Sequence, residues 1–281
     1  SAQSLTLHTP EKSYTIQKEG DQLWLTEPER KPASRTAWDN FLRTLEYLEV
    51  SSFSTVSVAP SALSLDPPLY TLSVTISTKK DEQMGKKAKA PQPEKMETQE
   101  VLLGKKEGEE IWATRKGSNE FGKVSYSSLR SLLENPEQVE KRVPLEVDSF
   151  EVSRITGKWE KKTFALEKKE EKWFRLRPRP AVVDWADIND FLDSFALRPA
   201  EKRNPSEKLS APIQLEISFF DEKKKLLGTL QAGFSENRLI FFNPAEKWEY
   251  EYNEADSAQF LTHFKKIAGF TEEKKSPANK K

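Results

Sequence analysis

Two stretches of this chain, 150 residues apart, are similar enough to predict that the fold is built from two copies of one unit. Residues 14–28 read YTIQKEGDQLWLTEP, and residues 164–178 read FALEKKEEKWFRLRP. The residues that coincide at this offset, without a gap, are Tyr14 with Phe164, Ile16 with Leu166, Lys18 with Lys168, Trp24 with Phe174, Pro28 with Pro178, Phe41 with Phe191 and Leu42 with Leu192. Such a repeat constrains the fold more than any single motif, because each element must occur twice.

Further along the chain the offset falls to 145 and then to 129. The pairs that define these offsets include Pro67 with Pro212, Leu72 with Ile217, Gly104 with Gly233 and Trp112 with Phe241. The first copy therefore carries about 16 extra residues, which lie within residues 78–99, TKKDEQMGKKAKAPQPEKMETQ. This segment has almost no large apolar side chains, so we expect a mobile hairpin loop, with a functional loop as the alternative.

The repeat predicts the organisation of the whole chain. Residues 1–145 form a first α+β repeat, and residues 146–270 form a second. Residues 271–281, TEEKKSPANKK, are polar and predict a disordered tail.

Each copy follows one order of elements. Alternating apolar residues predict strands at 4–8, 13–18 and 22–26 of the first copy. A helix follows, N-capped by Ser34 in the first copy and by Asp184 in the second, and then three further strands. Closing helices are predicted at residues 126–134 and 253–268. Short connections favour antiparallel pairing, so the predicted fold class is α+β, with two tandem repeats that each pack a mainly antiparallel sheet with two helices.

The same periodicities predict which side chains form the core. The first helices should bury an apolar stripe: Trp38, Phe41, Leu42, Leu45 and Leu48 in one copy, and Ile188, Phe191, Leu192 and Phe195 in the other. In the first hairpin of each copy the predicted core residues are Tyr14, Ile16 and Trp24, with their counterparts Phe164, Leu166 and Phe174. Because Phe174 replaces Trp24, we interpret these rings as packing residues rather than as platforms for a sugar or a base.

Composition excludes several classes of protein. Lys plus Arg and Asp plus Glu both number 45, so no global field attracts nucleic acid or an anionic membrane. The chain has no cysteine, which excludes thiolate metal sites and suits an oxidising compartment. No run approaches the ~18 apolar residues that span a bilayer. Since the sequence opens at Ser1 without methionine, we expect an N-terminal signal or anchor that is absent from this chain.

Two segments carry a family resemblance. Residues 63–68, LSLDPP, form a turn that leads into a Val/Thr-rich strand, and residues 137–155, EQVEKRVPLEVDSFEVSRI, link the copies through a basic patch at Lys141 and Arg142. In these features the chain resembles two tandem copies of the bacterial domain of unknown function family 4340 (DUF4340). The resemblance implies a secreted or membrane-anchored protein of the cell envelope, accessory to ABC-type transporter or gliding-related components, and it supplies no catalytic residues.

Few residues have the spacing that catalysis, metal binding or phosphate binding requires. His8 and His263 lie in a predicted strand and a predicted helix, away from any nucleophile-elbow pattern, and we interpret both as surface or cap-proximal residues. Asp184, Asp187, Asp190 and Asp193 recur every third residue and could share a cation, but a solvated helical face is the favoured interpretation. The segment GKKEGEE from Gly104 lacks the spacing of a phosphate-binding loop.

Arginines recur on one strand of the second copy. Arg175, Arg177 and Arg179 should lie on one face, opposite Phe174 and Leu176, where they could bind a polyanion or protect an edge strand. We identify no catalytic, cofactor-binding or metal-binding residue, and we expect no cofactor.

These observations predict a non-enzymatic interaction module of the cell envelope, whose partner is a membrane or envelope complex such as transporter subunits. The alternative is a protein that binds a glycan or small ligand between the two repeats, for which exposed Trp112, Trp159 or Trp248 would be evidence. An enzyme is the third hypothesis, and it would require a pocket with paired carboxylates of raised pKa.

Overall fold

The computed structural model of the chain describes residues 1–54, 58–78 and 95–270. The chain divides into two compact units, Ser1–Lys141 and Arg142–Lys281. Most of the loop expected at 78–99, and all of the tail expected at 271–281, lie outside the described residues.

The described residues of the first unit form nine strands and two α-helices. The strands are β1 (Ala2–His8), β2 (Ser13–Glu19), β3 (Gln22–Glu27), β4 (Lys31–Pro32), β5 (Val50–Phe53), β6 (Tyr70–Thr78), β7 (Lys95–Glu107), β8 (Glu110–Arg115) and β9 (Gly122–Ser125). The helices are α1 (Arg35–Glu46), between β4 and β5, and α2 (Tyr126–Glu134), after β9.

The second unit repeats this series. Its strands are β10 (Arg154–Trp159), β11 (Lys162–Lys169), β12 (Lys172–Arg177), β13 (Ala181–Val183), β14 (Lys202–Pro205), β15 (Leu215–Phe220), β16 (Leu226–Ser235), β17 (Arg238–Asn243) and β18 (Trp248–Glu251). Its helices are α3 (Trp185–Ala196), between β13 and β14, and α4 (Glu254–Ala268), after β18.

Each unit contains one nine-stranded sheet, and the two sheets have the same strand order. The orders are β4-β3-β2-β1-β6-β7-β8-β9-β5 and β13-β12-β11-β10-β15-β16-β17-β18-β14, and neighbouring strands are antiparallel. The predicted α+β class, with two similar sheet halves, is therefore confirmed. In both orders the strand that follows the first helix crosses to the far edge, so β5 and β14 are edge strands.

The prediction of three strands after each first helix was wrong, because five strands follow α1 and five follow α3. The two missed strands after each helix are β5 and β9 in the first unit and β14 and β18 in the second, and β4 and β13, which precede the helices, were missed as well. All six are two to four residues long. Alternation over so few residues is indistinguishable from a loop. The loop predicted at 78–99 is also too long, because residues 95–99 belong to β7 and pair with β6.

Helix boundaries agree closely with the sequence. The Ser34 side chain accepts a hydrogen bond from the backbone N–H of Ala37, and the Asp184 side chain accepts one from the N–H of Ala186, so both predicted N-caps are confirmed. The helix predicted at 126–134 has these bounds. Asn253 is the N-cap of α4 rather than its first residue.

The helices bury the apolar stripes that their periodicity predicts. Trp38 and Phe41 are buried in the first unit, and Leu42, Leu45 and Leu48 are partly buried against the same core. All four apolar residues predicted for α3 are buried, and Phe191 and Phe195 contact an aromatic cluster that includes Phe260 and Phe264 of α4.

The core faces of β3 and β12 differ from the prediction by one residue. Ile16 pairs with Leu25, which is buried, so Trp24 lies on the opposite face and is half-buried. In the second unit Trp173 is buried in place of Phe174, which is half-buried. Side-chain direction alternates along a strand, so the hairpin register, which contains a bulge in both units, decides which ring faces the helices.

Two equivalent glycines allow a turn to lie close to the sheet. A Cβ atom on Gly104 of β7 would lie 2.1 Å from the carbonyl oxygen of Leu63. A Cβ atom on Gly233 of β16 would lie 2.4 Å from the carbonyl oxygen of Pro212. Because these distances are far below van der Waals contact, only glycine fits, and the predicted pairing of Gly104 with Gly233 reflects a shared packing requirement.

Candidate functional site

The LSLDPP turn of the first unit borders an open cavity of about 540 Å³. The turn contributes Leu65, Asp66 and Pro68 to its wall, and the strands contribute residues that include Thr71 and Leu102. Charged side chains of both signs, among them Asp66, Glu100 and Arg115, mix with apolar ones in this wall. The cavity could therefore accept a small polar or amphipathic molecule, but its charges do not converge on one type of group.

His8 lies at the rim of this cavity and contacts a hydroxyl group that the sequence did not indicate. Its Nδ1 atom is 2.6 Å from Oγ of Ser13, which is its direct partner across the β1–β2 hairpin. His8 is exposed, and within the described residues no carboxylate forms an ion pair with its ring. The contact thus lacks the orienting acid and the strained nucleophile turn of hydrolases, and it is a cross-strand hydrogen bond.

Three of the four aspartates of α3, Asp184, Asp190 and Asp193, are exposed, in agreement with the predicted solvated face, and Asp187 departs from it. Asp187 is half-buried, and an oxygen of its carboxylate is 2.5 Å from Nζ of Lys266. This hydrogen bond raises the pKa of Lys266. Asp190 lies 3.9 Å from Nδ1 of His263, and Asp184 caps the helix.

Metal binding finds no support in the described part of the chain. Within residues 1–54, 58–78 and 95–270, no group of three His, Cys, Asp or Glu residues is placed to hold a metal ion.

Arg175 is part of the helix packing and does not belong to an open basic surface. Its guanidinium donates to the carbonyl oxygens of Lys266 and Ile267 at 3.4 and 3.3 Å, and its Nε donates to the carbonyl oxygen of Arg179 at 2.8 Å. It therefore caps the C-terminus of α4, where the helix dipole favours a cation. The predicted face of three arginines loses its first member, Arg175, and only Arg177 and Arg179 are exposed.

The three tryptophans proposed as ligand platforms are not open rings. Trp248 is buried. Trp159 is half-buried against Phe234 and Phe264. The Nζ atom of Lys123 lies 4.9 Å from the ring centroid of half-buried Trp112.

Carboxylates with shifted pKa values are all shifted downward in the described residues. Hydrogen bonds from Arg30, Lys123 and Arg238 lower the pKa values of Glu19, Glu107 and Glu251, respectively. A carboxylate with a lowered pKa stays ionised at neutral pH and is a poor general acid. These groups act as ion-pair partners.

The edge strand β5 is exposed along its whole length. All four of its residues are exposed, including Val50 at 42% and Phe53 at 64%, and Tyr47 just before it is 69% exposed. We call Tyr47, Val50 and Phe53, together with the strand backbone, the β5 edge. The run VSSF is too short to show a clear alternation of apolar and polar residues, so the strand could not be predicted from periodicity; the signal that could have found it is the uncharged stretch that begins at Val50.

None of the described helices is long and apolar enough to cross a membrane. The family model described as "Domain of unknown function (DUF4340)" matches residues 61–212, which is more than half of the chain. This match begins in the first unit, just before the LSLDPP turn, and ends in the second, just before β15. Comparisons with curated proteins and with solved structures gave no match.

Proposed function

This chain belongs to the DUF4340 family, and from that premise we propose that it is a non-enzymatic interaction module of the cell envelope. Its partner in this proposal is a membrane or envelope protein complex, such as the subunits of an ABC-type transporter or of a gliding-related machine.

The β5 edge carries this proposal. It places three large apolar side chains within seven residues on the surface, where water contact is unfavourable for each of them. Apolar surface of this kind that is not covered within its own unit is typical of a protein-binding site. The described residues offer no comparable concentration of catalytic groups.

The location at the envelope is supported by two features of the sequence. The chain has no cysteine, which suits a compartment where thiols would be oxidised. The resemblance of its turn and linker segments to the family also implies an envelope role.

We further propose that each unit is one copy of the family domain, so that the chain is a tandem pair. The identical strand orders of the two sheets support this, as does the glycine shared by β7 and β16. The family match runs across the boundary between the units, which is what a match to parts of two consecutive copies would give.

The experiment is affinity purification of the full-length native gene product from crosslinked cells. The Leu197→Lys variant, which changes an exposed apolar residue outside the β5 edge, is the control. We expect the wild-type protein and this control to recover the same membrane complex, with transporter or gliding subunits identified by mass spectrometry. Recovery of soluble metabolic enzymes alone, or of no protein, would contradict the proposal.

A second candidate function, binding of a glycan or small ligand, is favoured by the cavity beside the LSLDPP turn. A thermal-shift screen with mono- and oligosaccharides tests it. Stabilisation by a sugar that is abolished by Thr71→Trp, which would fill the cavity, would replace the interaction module by a ligand-binding protein.

A further inference from the structure

We propose that the β5 edge binds an extended segment of a partner protein by strand addition, and that this segment has alternating apolar residues and a Lys or Arg beside them. The inference rests on the proposed function and deepens it, because it states how the partner is held and what its chemistry is.

The first reason is that β5 has one strand neighbour in the described sheet. It pairs with β9 through Val50, Ser52 and Phe53, and it ends the strand order. The opposite side of an edge strand presents backbone N–H and C=O groups that an incoming strand can pair with. Main-chain hydrogen bonds then supply affinity, and alternate side chains supply specificity.

The second reason is that the other edge strands of the two sheets contain a proline or expose fewer large apolar side chains. The edge strands β4 and β14 contain Pro32 and Pro205, respectively, which have no N–H to donate. The edge strand β13 has three residues and exposes one large apolar side chain, Val182. By contrast, β5 has no proline and exposes both Val50 and Phe53.

The comparison of β5 with β14 is especially informative, because the two strands occupy the same place in the two sheets. The sequence of β14 is KRNP, and Nζ of Lys202 lies 3.2 Å from the carboxylate of Glu251 on the neighbouring strand. Charged residues and a terminal proline are the usual means of blocking an edge. The sequence of β5, VSSF, has neither. The charged residues and the proline are thus present at this position in one unit and absent in the other, and the device that β5 does contain is a shift of register between Val50 and Ser52 in its pairing with β9.

The third reason is the charge beside the edge. Glu46 and Glu49 are exposed and form no ion pair with another described residue. Arg43 is the basic residue of the last turn of α1, so residues 43–50 carry a net charge of −1. The C-terminal end of α1 adds the negative end of its dipole at Glu46.

The cation on β9, the strand that pairs with β5, is already neutralised. Nζ of Lys123, the partner of Ser52, lies 2.9 Å from Glu107 and 3.9 Å from Glu110. A strand that pairs with β5 therefore meets a field that favours a basic residue near Glu49, and an acidic one there would be repelled.

The experiment uses the full chain and a phage-displayed library of random dodecapeptides as the probe. We expect enriched peptides with apolar residues at alternate positions and at least one Lys or Arg at one end. The most enriched peptide, synthesised with a fluorescent label, should bind the Phe53→Lys variant at least about tenfold more weakly than wild type. The Leu197→Lys variant, at 71% exposure in the second unit, should bind like wild type.

A second variant separates loss of binding from loss of folding. Glu49 is exposed and precedes the strand, so Glu49→Lys should leave the fold intact while it weakens binding of the basic peptide and improves binding of its acidic counterpart. Undiminished binding to both Phe53→Lys and Glu49→Lys would overturn the proposal. So would a wild-type dimer that Phe53→Lys converts to a monomer, because the occupant would then be a second copy of this chain.

Capture of the membrane complex from cells distinguishes this inference from the proposed function. If wild-type protein and Phe53→Lys recover the complex equally, the interaction module stands and strand addition at β5 fails. If neither recovers a membrane complex, although the peptide binds at β5, the envelope function fails and the docking mode stands.

Discussion

At Gly104, the absence of a Cβ atom decides how closely the LSLDPP turn can approach the sheet. The turn can lie over β7 because Gly104 has no side chain. A Cβ atom there would lie 2.1 Å from the carbonyl oxygen of Leu63 and 3.1 Å from the side chain of Leu65. A substitution must therefore displace backbone, which is costly in a packed unit.

We predict that Gly104→Ala lowers the stability of the first unit by about 1–3 kcal/mol, because it overpacks the turn against β7. Hydrogen-exchange mass spectrometry in urea reports each unit separately and measures this loss. The neighbouring Lys105→Ala variant, which removes an exposed side chain, is the control and should change stability by less than about 0.5 kcal/mol. Equal stability of Gly104→Ala and wild type would show that the turn does not lie where the structure places it.

Buried tyrosines make the second unit sensitive to alkali. Burial raises the pKa values of Tyr250 and Tyr252, and the Tyr252 hydroxyl donates to the carbonyl oxygens of Phe195 and Arg198 at 3.3 and 3.0 Å. In the unfolded chain these groups lose their protons near pH 10. Since the folded pKa is the higher one, the stabilisation is complete below pH ~10 and is lost as the pH rises above it.

Above that pH, we predict that the free energy of unfolding of the second unit falls by up to about 1.4 kcal/mol per pH unit for each of the two tyrosines. Tyr252→Phe should lower the free energy of unfolding by about 1–2 kcal/mol at pH 8, because its hydrogen bonds are lost. It should also remove the contribution of one tyrosine from the fall in this free energy with pH. Urea denaturation between pH 8 and 11 measures both effects, with Tyr47→Phe at an exposed tyrosine as the control. An unchanged slope in Tyr252→Phe would contradict the assignment.

Residue-level predictions from sequence succeeded where the physical cause is local. A helix N-cap such as Ser34 or Asp184 interacts with backbone two or three residues away, so its pattern is visible in the sequence. The face of Trp24 was assigned wrongly because it depends on the register across a bulged hairpin, and a one-residue shift reverses every side chain.

Elements longer than about six residues were predictable, and very short strands were not. The four helices repeat an apolar spacing over nine to fifteen residues, which fixes their existence and most of their ends. The edge strands β4, β5, β13 and β14 owe their structure to a neighbouring strand rather than to their own pattern. The candidate site lies on one of these strands, so it could not be found from periodicity.

The C-terminus of α4 is held from outside the helix. Arg175 of β12 donates to two carbonyl oxygens of its last turn, and Gly269 ends it in the left-handed conformation at φ +71°. A Cβ atom on Gly269 would lie 2.6 Å from the Arg175 guanidinium, so the cap and the glycine fit together.

We predict that Arg175→Ala destabilises the second unit by about 1–2 kcal/mol, because the carbonyl oxygens at the end of α4 lose a charged donor. Arg177→Ala, an exposed arginine of the same strand, is the matched control and should cost less than about 0.5 kcal/mol. Chemical denaturation measures both. A loss of the same size in the two variants would argue for a shared surface role of the arginines instead of a cap.

At the scale of the whole molecule, the repeat was the most reliable guide to the fold. The offsets of 150, 145 and 129 anticipated two units whose sheets have the same strand order. What the repeat could not show is where the copies differ in function, because that requires the equivalent edges to be located first. Once β5 and β14 are identified as equivalents, the contrast between VSSF and KRNP becomes the main functional observation.

The most direct test transfers the sequence of the blocked edge onto the open one. In the quadruple variant V50K/S51R/S52N/F53P, β5 carries the sequence of β14, and intact hydrogen-exchange protection of β9 would show that the sheet is preserved. The measurement is the dissociation constant of the labelled alternating apolar–basic peptide, by fluorescence anisotropy, for wild type and for this variant. Strand addition at the β5 edge predicts that the variant binds the peptide at least about tenfold more weakly than wild type. Equal dissociation constants with a preserved sheet would contradict strand addition at β5.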